Sequence, residues 1–284
     1  MLASVISLLA AAAYGVGDFF GASATRRSHP ILASFIGQIF YATVAVIGLV
    51  VFGGTWSEEA GLWGLATGAS EAVGFLVFYY ALSVGNVSLV APLVSVIYAT
   101  VPVIWGIATG EQLTGYQQVG LVLGLLAVLA LSKEPASEES NSKRPLLYVL
   151  GLCLIGGVMW GFSTVALSYV PDDSGMVPIL VAGFTALAML STAVLVTRKN
   201  VWPKFSIGAI SPSIWSGALF GVANLLIITA LRVGSLTLVG MLTALYPLAT
   251  VILSRIVFKE HITKLRWFGI ALAVVAAALL SDEN

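Results

Sequence analysis

The sequence predicts an all-α membrane protein with ten transmembrane helices arranged as a five-plus-five inverted repeat. Three observations carry that expectation. Of 284 residues, 59% are hydrophobic and only 9% charged, whereas a soluble domain is about 25% charged, so lipid is the solvent for most of the surface. Ten apolar stretches approach the roughly 20 residues that a helix needs to cross the hydrocarbon. The segment from Ala81 to Ser132, moved forward by 149 positions, lies without a gap on Ala230 to Ser281.

The spans are expected, in order, at about 2–24, 31–53, 60–82, 88–109, 115–132, 146–169, 175–197, 211–231, 235–257 and 265–281. The first lacks the basic leader of a signal peptide, since Met1-Leu2-Ala3-Ser4 carries no charge, and is read as retained. Turn or polar signals separate the spans: Arg26 to Pro30, Gly53-Gly54-Thr55, Gly85-Asn86 and Pro171-Asp172-Asp173. Between the fifth and sixth lies the one polar segment, Lys133 to Arg144 (KEPASEESNSKR). It reads as a flexible linker, dividing the chain into a first repeat at 1–132, a linker at 133–145 and a second repeat at 146–284.

The repeat is specific in its residues. Ala81-Leu82 falls on Ala230-Leu231, Gly85 on Gly234, Leu89-Val90 on Leu238-Val239, Glu111 on Glu260, Thr114 on Thr263 and Gly120 on Gly269. Because each copy holds an odd number of spans, the second must enter the membrane opposite to the first. Such duplication in an apolar chain is the signature of a transporter whose halves rock between two related states. Gly17/Gly21, Gly64/Gly68, Gly120/Gly124, Gly157/Gly161 and Gly217/Gly221, each four apart, mark faces where helices approach closely.

Tyr246-Pro247 followed by Phe258-Lys259-Glu260-His261-Ile262-Thr263, with the weaker counterpart Gly110-Glu111-Gln112-Leu113-Thr114, resembles the drug/metabolite transporter superfamily, EamA-type. No proline follows Tyr98, which lies one position off Tyr246 in the repeat. The resemblance implies a secondary transporter, often an exporter, with a central cavity walled by helices from both halves. It implies a small polar substrate, amino acid-like or related, in a bacterial-type cytoplasmic membrane.

Two acids fall inside spans, where a charge costs on the order of 3 kcal/mol. Glu71, near the middle of the third span, is read as a cavity residue that exchanges a proton or binds a cationic group; a glutamic acid bonded to a neighbouring helix is the alternative. Asp18 either has the same function or sits at the interface near Arg26 and Arg27. Asn224 reads equally as a polar lining group and as interhelical glue, while Gln38 reads as glue. Tyr14, Tyr79, Tyr80, Tyr98, Trp160 and Tyr246 lie within spans instead of the interfacial belts. They are candidates for cation recognition, with packing as the bland reading. Pro92, Pro102 and Pro247 are candidate hinges in the fourth and ninth spans. Glu111 and Glu260 are read as turn-formers ahead of the capping residues Thr114 and Thr263.

Other function classes find little here. No cluster of His, Asp and Glu, no phosphate loop and no Ser/His/Asp set supports a membrane-embedded enzyme such as a lipid transferase. A non-transporting scaffold would leave the buried acid and the duplication without purpose. Cys153 is the sole cysteine, which rules out an intrachain disulfide. No cofactor, metal or nucleic-acid partner is expected. The expected partners are a small-molecule substrate, a coupling proton and the bilayer, and a homodimer is compatible with all of this.

Of the 13 basic residues, twelve border odd-numbered loops and Arg232 alone an even one. By the positive-inside rule the odd loops are cytoplasmic and both termini outside. Alkaline phosphatase fused to Asn284 is therefore expected to be active and green fluorescent protein dark. A fluorescent, phosphatase-inactive fusion overturns that orientation.

Overall fold

The computed structural model describes residues 1–25, 27–84, 87–132, 144–257 and 263–280, and among them every regular element is a helix. In chain order these are α1 (Leu2–Thr25), α2 (Pro30–Phe52), α3 (Glu58–Val84), α4 (Val87–Ala108), α5 (Gly115–Ser132), α6 (Leu146–Ser168), α7 (Val177–Val201), α8 (Ile210–Leu231), α9 (Leu236–Thr243), α10 (Pro247–Val257) and α11 (Lys264–Leu280). Six helical stretches are long and apolar enough to cross a membrane: Leu2–Thr25, Pro30–Phe52, Glu58–Phe78, Leu146–Ser168, Val177–Lys204 and Ile207–Leu231. Shorter apolar helices occupy Leu93–Ala108, Gly115–Leu131 and Leu236–Ala249. The chain is a multi-pass membrane protein. Glu260, His261, Gly85, Asn86 and residues 133–143 lie outside the described residues, as do the side chains of Tyr79 and Pro92.

Local chemistry sets the helix ends. Pro30 opens α2, and the His29 Nδ1 accepts from the Ile31 amide at 3.3 Å. That bond needs a neutral imidazole; partial burial and nearby Lys204 both lower the His29 pKa and favour it. Ser57 Oγ accepts from the Ala60 amide at 3.0 Å, with Glu58 and Glu59 in the first turn of α3, where the helix dipole favours acids. Thr114 and Gln117 bond reciprocally at 3.2 and 3.1 Å, the expected capping box of α5.

The ninth expected span is two helices. Backbone bonds switch to the tighter i to i+3 pattern at Leu245 and Tyr246, and Pro247 opens α10 because it has no amide hydrogen to continue α9. Its repeat mate, α4, runs unbroken past Pro102. Pro102 instead packs against Gly240 of α9 so closely that a methyl there would collide with its ring.

Helices of the first repeat pack chiefly on helices of the second. The main pairs are α1 on α8, α3 on α6, α2 on α8, α3 on α7, α4 on α6, α1 on α9 and α10, α2 on α7, α5 on α11 and α4 on α9. Exchanging the repeats maps this set onto itself: α1·α8 becomes α6·α3, and α2·α8 becomes α7·α3. The glycines show the same symmetry. Gly120 lies against Leu280 and Gly269 against Leu131, and each pair maps onto the other by the 149-position shift. Gly68 meets the Ala182 backbone, and its mate Gly217 meets the Gly37 backbone.

At Gly217 an added methyl would run into the Gly37 carbonyl, a backbone atom that cannot swing aside. Gly217→Ala is therefore expected to cost about 1–3 kcal/mol, seen as a lower melting temperature in detergent. Gly151→Ala, whose methyl meets nothing within 4 Å, is the control and leaves it unchanged.

Candidate functional site

A cavity lies among α1, α2, α3, α4, α6, α7, α8 and the α9–α10 break. The space open to the centres of water molecules is about 100 Å³, room for several waters or a small solute. Its lining runs from Glu71, Tyr98 and Tyr246 to Thr25 and Ser34, beside the connection between α1 and α2. It thus extends from mid-span toward the end that carries the basic loops.

Polar groups reach the cavity as stripes at helical spacing. On α1 Tyr14, Asp18, Gly21 and Thr25 share one face; on α2 Ser34, Gln38 and Tyr41 do; on α8 Ser213, Ser216, Phe220 and Asn224 do. α3 contributes Glu71, 7% exposed, whose polar neighbours are the Asn224 amide and the Tyr41 hydroxyl. Asn224 Nδ2 donates to the Phe220 carbonyl at 3.2 Å, which holds its side chain along α8. Gln38 Nε2 donates to the Gly183 carbonyl at 3.2 Å, tying α2 to α7, and still lines the cavity.

Aromatic rings wall the deep end. The Trp160 indole lies flat on α3, where Gly74 leaves room, and its Nε1 donates to the Glu71 carbonyl at 3.4 Å. Phe75 stands edge-on to Trp160 with centroids 5.1 Å apart and meets Phe220 at 5.9 Å. Tyr14 meets Phe220 at 5.5 Å. Tyr98 and Tyr246 are 6.3 Å apart, and the Tyr246 hydroxyl bonds Ser95 Oγ at 2.8 Å.

Seven expected residues therefore converge: Tyr14, Asp18, Glu71, Tyr98, Trp160, Asn224 and Tyr246. Asp18 lines the cavity near Tyr246, and Arg27 turns away to the Gly208 carbonyl. Tyr80 does not converge; it is 43% exposed and faces Tyr148. Tyr41, Phe75 and Ser163 line the site without having been singled out. Tyr41 was within reach, because Ser34, Gln38 and Tyr41 repeat at i, i+4 and i+7. Among the described residues no group of His, Cys, Asp and Glu is arranged to hold a metal ion.

The end opposite the basic loops is knitted together. Thr55 and Asp173 join the α2–α3 and α6–α7 connections, the Thr55 amide donating to the Asp173 carbonyl at 3.1 Å. Arg232 donates to the Gly175 carbonyl at 2.7 Å, and Trp105 Nε1 donates to the Tyr169 hydroxyl at 2.8 Å. Glu111 contributes most directly. Its carboxylate accepts from the Leu236 and Thr237 amides at 2.7 and 2.9 Å. It caps α9 in the other repeat, not the α5 start that follows it in sequence. An acid there meets two orphan amides and the positive end of the helix dipole.

The model of the EamA-like transporter family matches residues 1–133 and 147–282, one match to each repeat. An uncharacterized protein of Methanocaldococcus jannaschii is 28% identical over 132 residues, which are 46% of this chain and 96% of that protein. Nearly the whole of that relative thus matches about half of this chain. A solved structure titled only as a protein crystal structure superposes with a TM-score of 0.77 and 17% identity, covering 98% of this chain and 96% of its own. At that identity the likeness concerns the fold.

Glu111→Ala leaves the Leu236 and Thr237 amides without their acceptor. The expected cost is about 2–3 kcal/mol, measured as a lower melting temperature in detergent, with Glu111→Gln falling between the variant and the parent. Equal stability of all three proteins contradicts the cap.

Proposed function

The chain belongs to the EamA-like transporter family, and on that premise we propose that it is a secondary active transporter that exports a small polar metabolite. Ten spans form two inverted halves, and the cavity between them is exposed to each side in turn. The basic loops lie in the cytoplasm of a bacterial-type cell, so the cavity described above faces inward. Glu71 exchanges the coupling proton. Asp18, Asn224, Tyr14, Tyr98, Trp160 and Tyr246 form the substrate surface, and the break at Pro247 is the hinge.

The observation that carries this reading is Glu71 itself. An acid held at mid-span is expensive in hydrocarbon and marks a pathway or relay by default. Here it opens on a cavity shared by both repeats and meets the Asn224 amide and Tyr41 hydroxyl, with no basic side chain in the lining among the described residues. A proton is then the simplest partner, since taking one up or giving one away changes the charge of the cavity without moving a helix. The exchange-symmetric packing supplies two related arrangements of the same contacts, as rocking requires. The half-length relative fits a fold assembled from two copies of one unit.

Proteoliposomes with an acidic interior, offered a panel of labelled amines and amino acids, should accumulate at least one of them above protein-free vesicles. Glu71→Gln keeps the size and most hydrogen bonding but removes the exchange. Accumulation should fall to the protein-free level, while counterflow of the same solute without a pH gradient persists. Asp18→Asn, nearer the mouth, should have the smaller effect. Full gradient-driven accumulation by Glu71→Gln assigns the glutamate a structural role.

A further inference from the structure

We propose that the cavity takes an organic cation, an amine or quaternary ammonium with an apolar or aromatic body, and rejects solutes that carry a carboxylate. The inference rests on the transporter reading and narrows its substrate. Among the described residues, Asp18 and Glu71 are the charged groups that line the cavity, and no Lys, Arg or His does. Any anion bound there meets two acids and no countercharge. A cation meets both acids, plus the negative faces of Phe75, Trp160 and Phe220.

Membrane transporters without a basic side chain often hold a carboxylate at the N-terminus of a broken helix, where free amides point into the site. This chain has such a break, and its donors are spent. Pro247, the first residue of α10, has no amide hydrogen. The next two amides bond inside the break, Leu248 to the Leu245 carbonyl at 2.9 Å and Ala249 to the Tyr246 carbonyl at 3.1 Å. The anion site that the architecture offers is therefore filled by the protein's own groups.

The site is also built for a polar ligand. The Tyr41 and Tyr98 hydroxyls line it, buried at 3% and 7% exposure, Tyr41 beside the Glu71 carboxyl and Tyr98 beside Thr164. A hydroxyl accepts from an ammonium as readily as it donates to an anion, so these two groups mark a ligand position without fixing its sign. The carboxyl groups, the rings and the spent helix donors fix it.

Three probes of one skeleton separate the charges: phenethylamine, phenylalanine and 3-phenylpropionate, each titrated calorimetrically into the full-length protein in detergent near neutral pH. Phenethylamine should bind, phenylalanine on the order of tenfold or more weaker, since its carboxylate loses water and gains no donor, and 3-phenylpropionate not at all. Asp18→Asn and Glu71→Gln should each weaken the amine. Phenylalanine binding equal to or tighter than phenethylamine overturns the proposal, as does binding of the anion or of none of the three. Counterflow in proteoliposomes tests the transporter reading separately. Amine binding without protein-dependent counterflow defeats that reading and leaves the ligand class standing. Counterflow of phenylalanine but not of the amine does the reverse.

Discussion

Close approach of helix backbones across the two repeats is the contact on which the rest of this structure depends. Lipid tails are as apolar as leucine, so burial alone gives helices no reason to associate in a bilayer; packing and interhelical bonds must. Glycine supplies the packing here. Gly217 reaches the Gly37 backbone, Gly68 the Ala182 backbone, and Gly161 the Tyr98 carbonyl and Val101. Each contact joins one repeat to the other. The cavity lies beside them: Gly37 and Gly217 line it together with the larger side chains of α1, α2, α3 and α8.

The repeats share a fold but differ in covalent detail, and the difference falls at the site. α4 passes Pro102 as a single helix, whereas its mate divides into α9 and α10 at Pro247. Tyr246 stands at that division and reaches Ser95 on α4. The acid is one-sided as well, because Glu71 has Phe220 as its repeat mate. In the cavity that phenylalanine meets Phe75, the neighbour of Glu71 by one helical turn. Duplication thus built the walls, and divergence supplied a charge in the first repeat and a break in the second.

Glu111 links the two repeats. Its bonds to Leu236 and Thr237 anchor the first half of the broken helix to the loop between α4 and α5. Gly106 lets the carboxylate and Thr237 approach, since a methyl there would strike both.

The sequence by itself determined the solvent, the helical class, the duplication and the depth of Glu71. All of these depend on composition and on spacing along a single chain. It also marked the Thr114–Gln117 cap and the break at Pro247, because capping and proline geometry act over three or four residues. Family membership was legible for the same reason, since its signals are repeats and short motifs. Only the tertiary structure decided which way each helix face turned. Tyr80 looked as eligible as Tyr14, yet it points outward, because the face of α3 that meets α6 and α7 is chosen by Gly64, Gly68 and Gly74. Glu111 looked like a turn-former ahead of the Thr114 cap and instead caps a helix that starts 125 residues away. A helix exposes every side chain somewhere around its axis, and which of them meet is settled by partners distant in sequence.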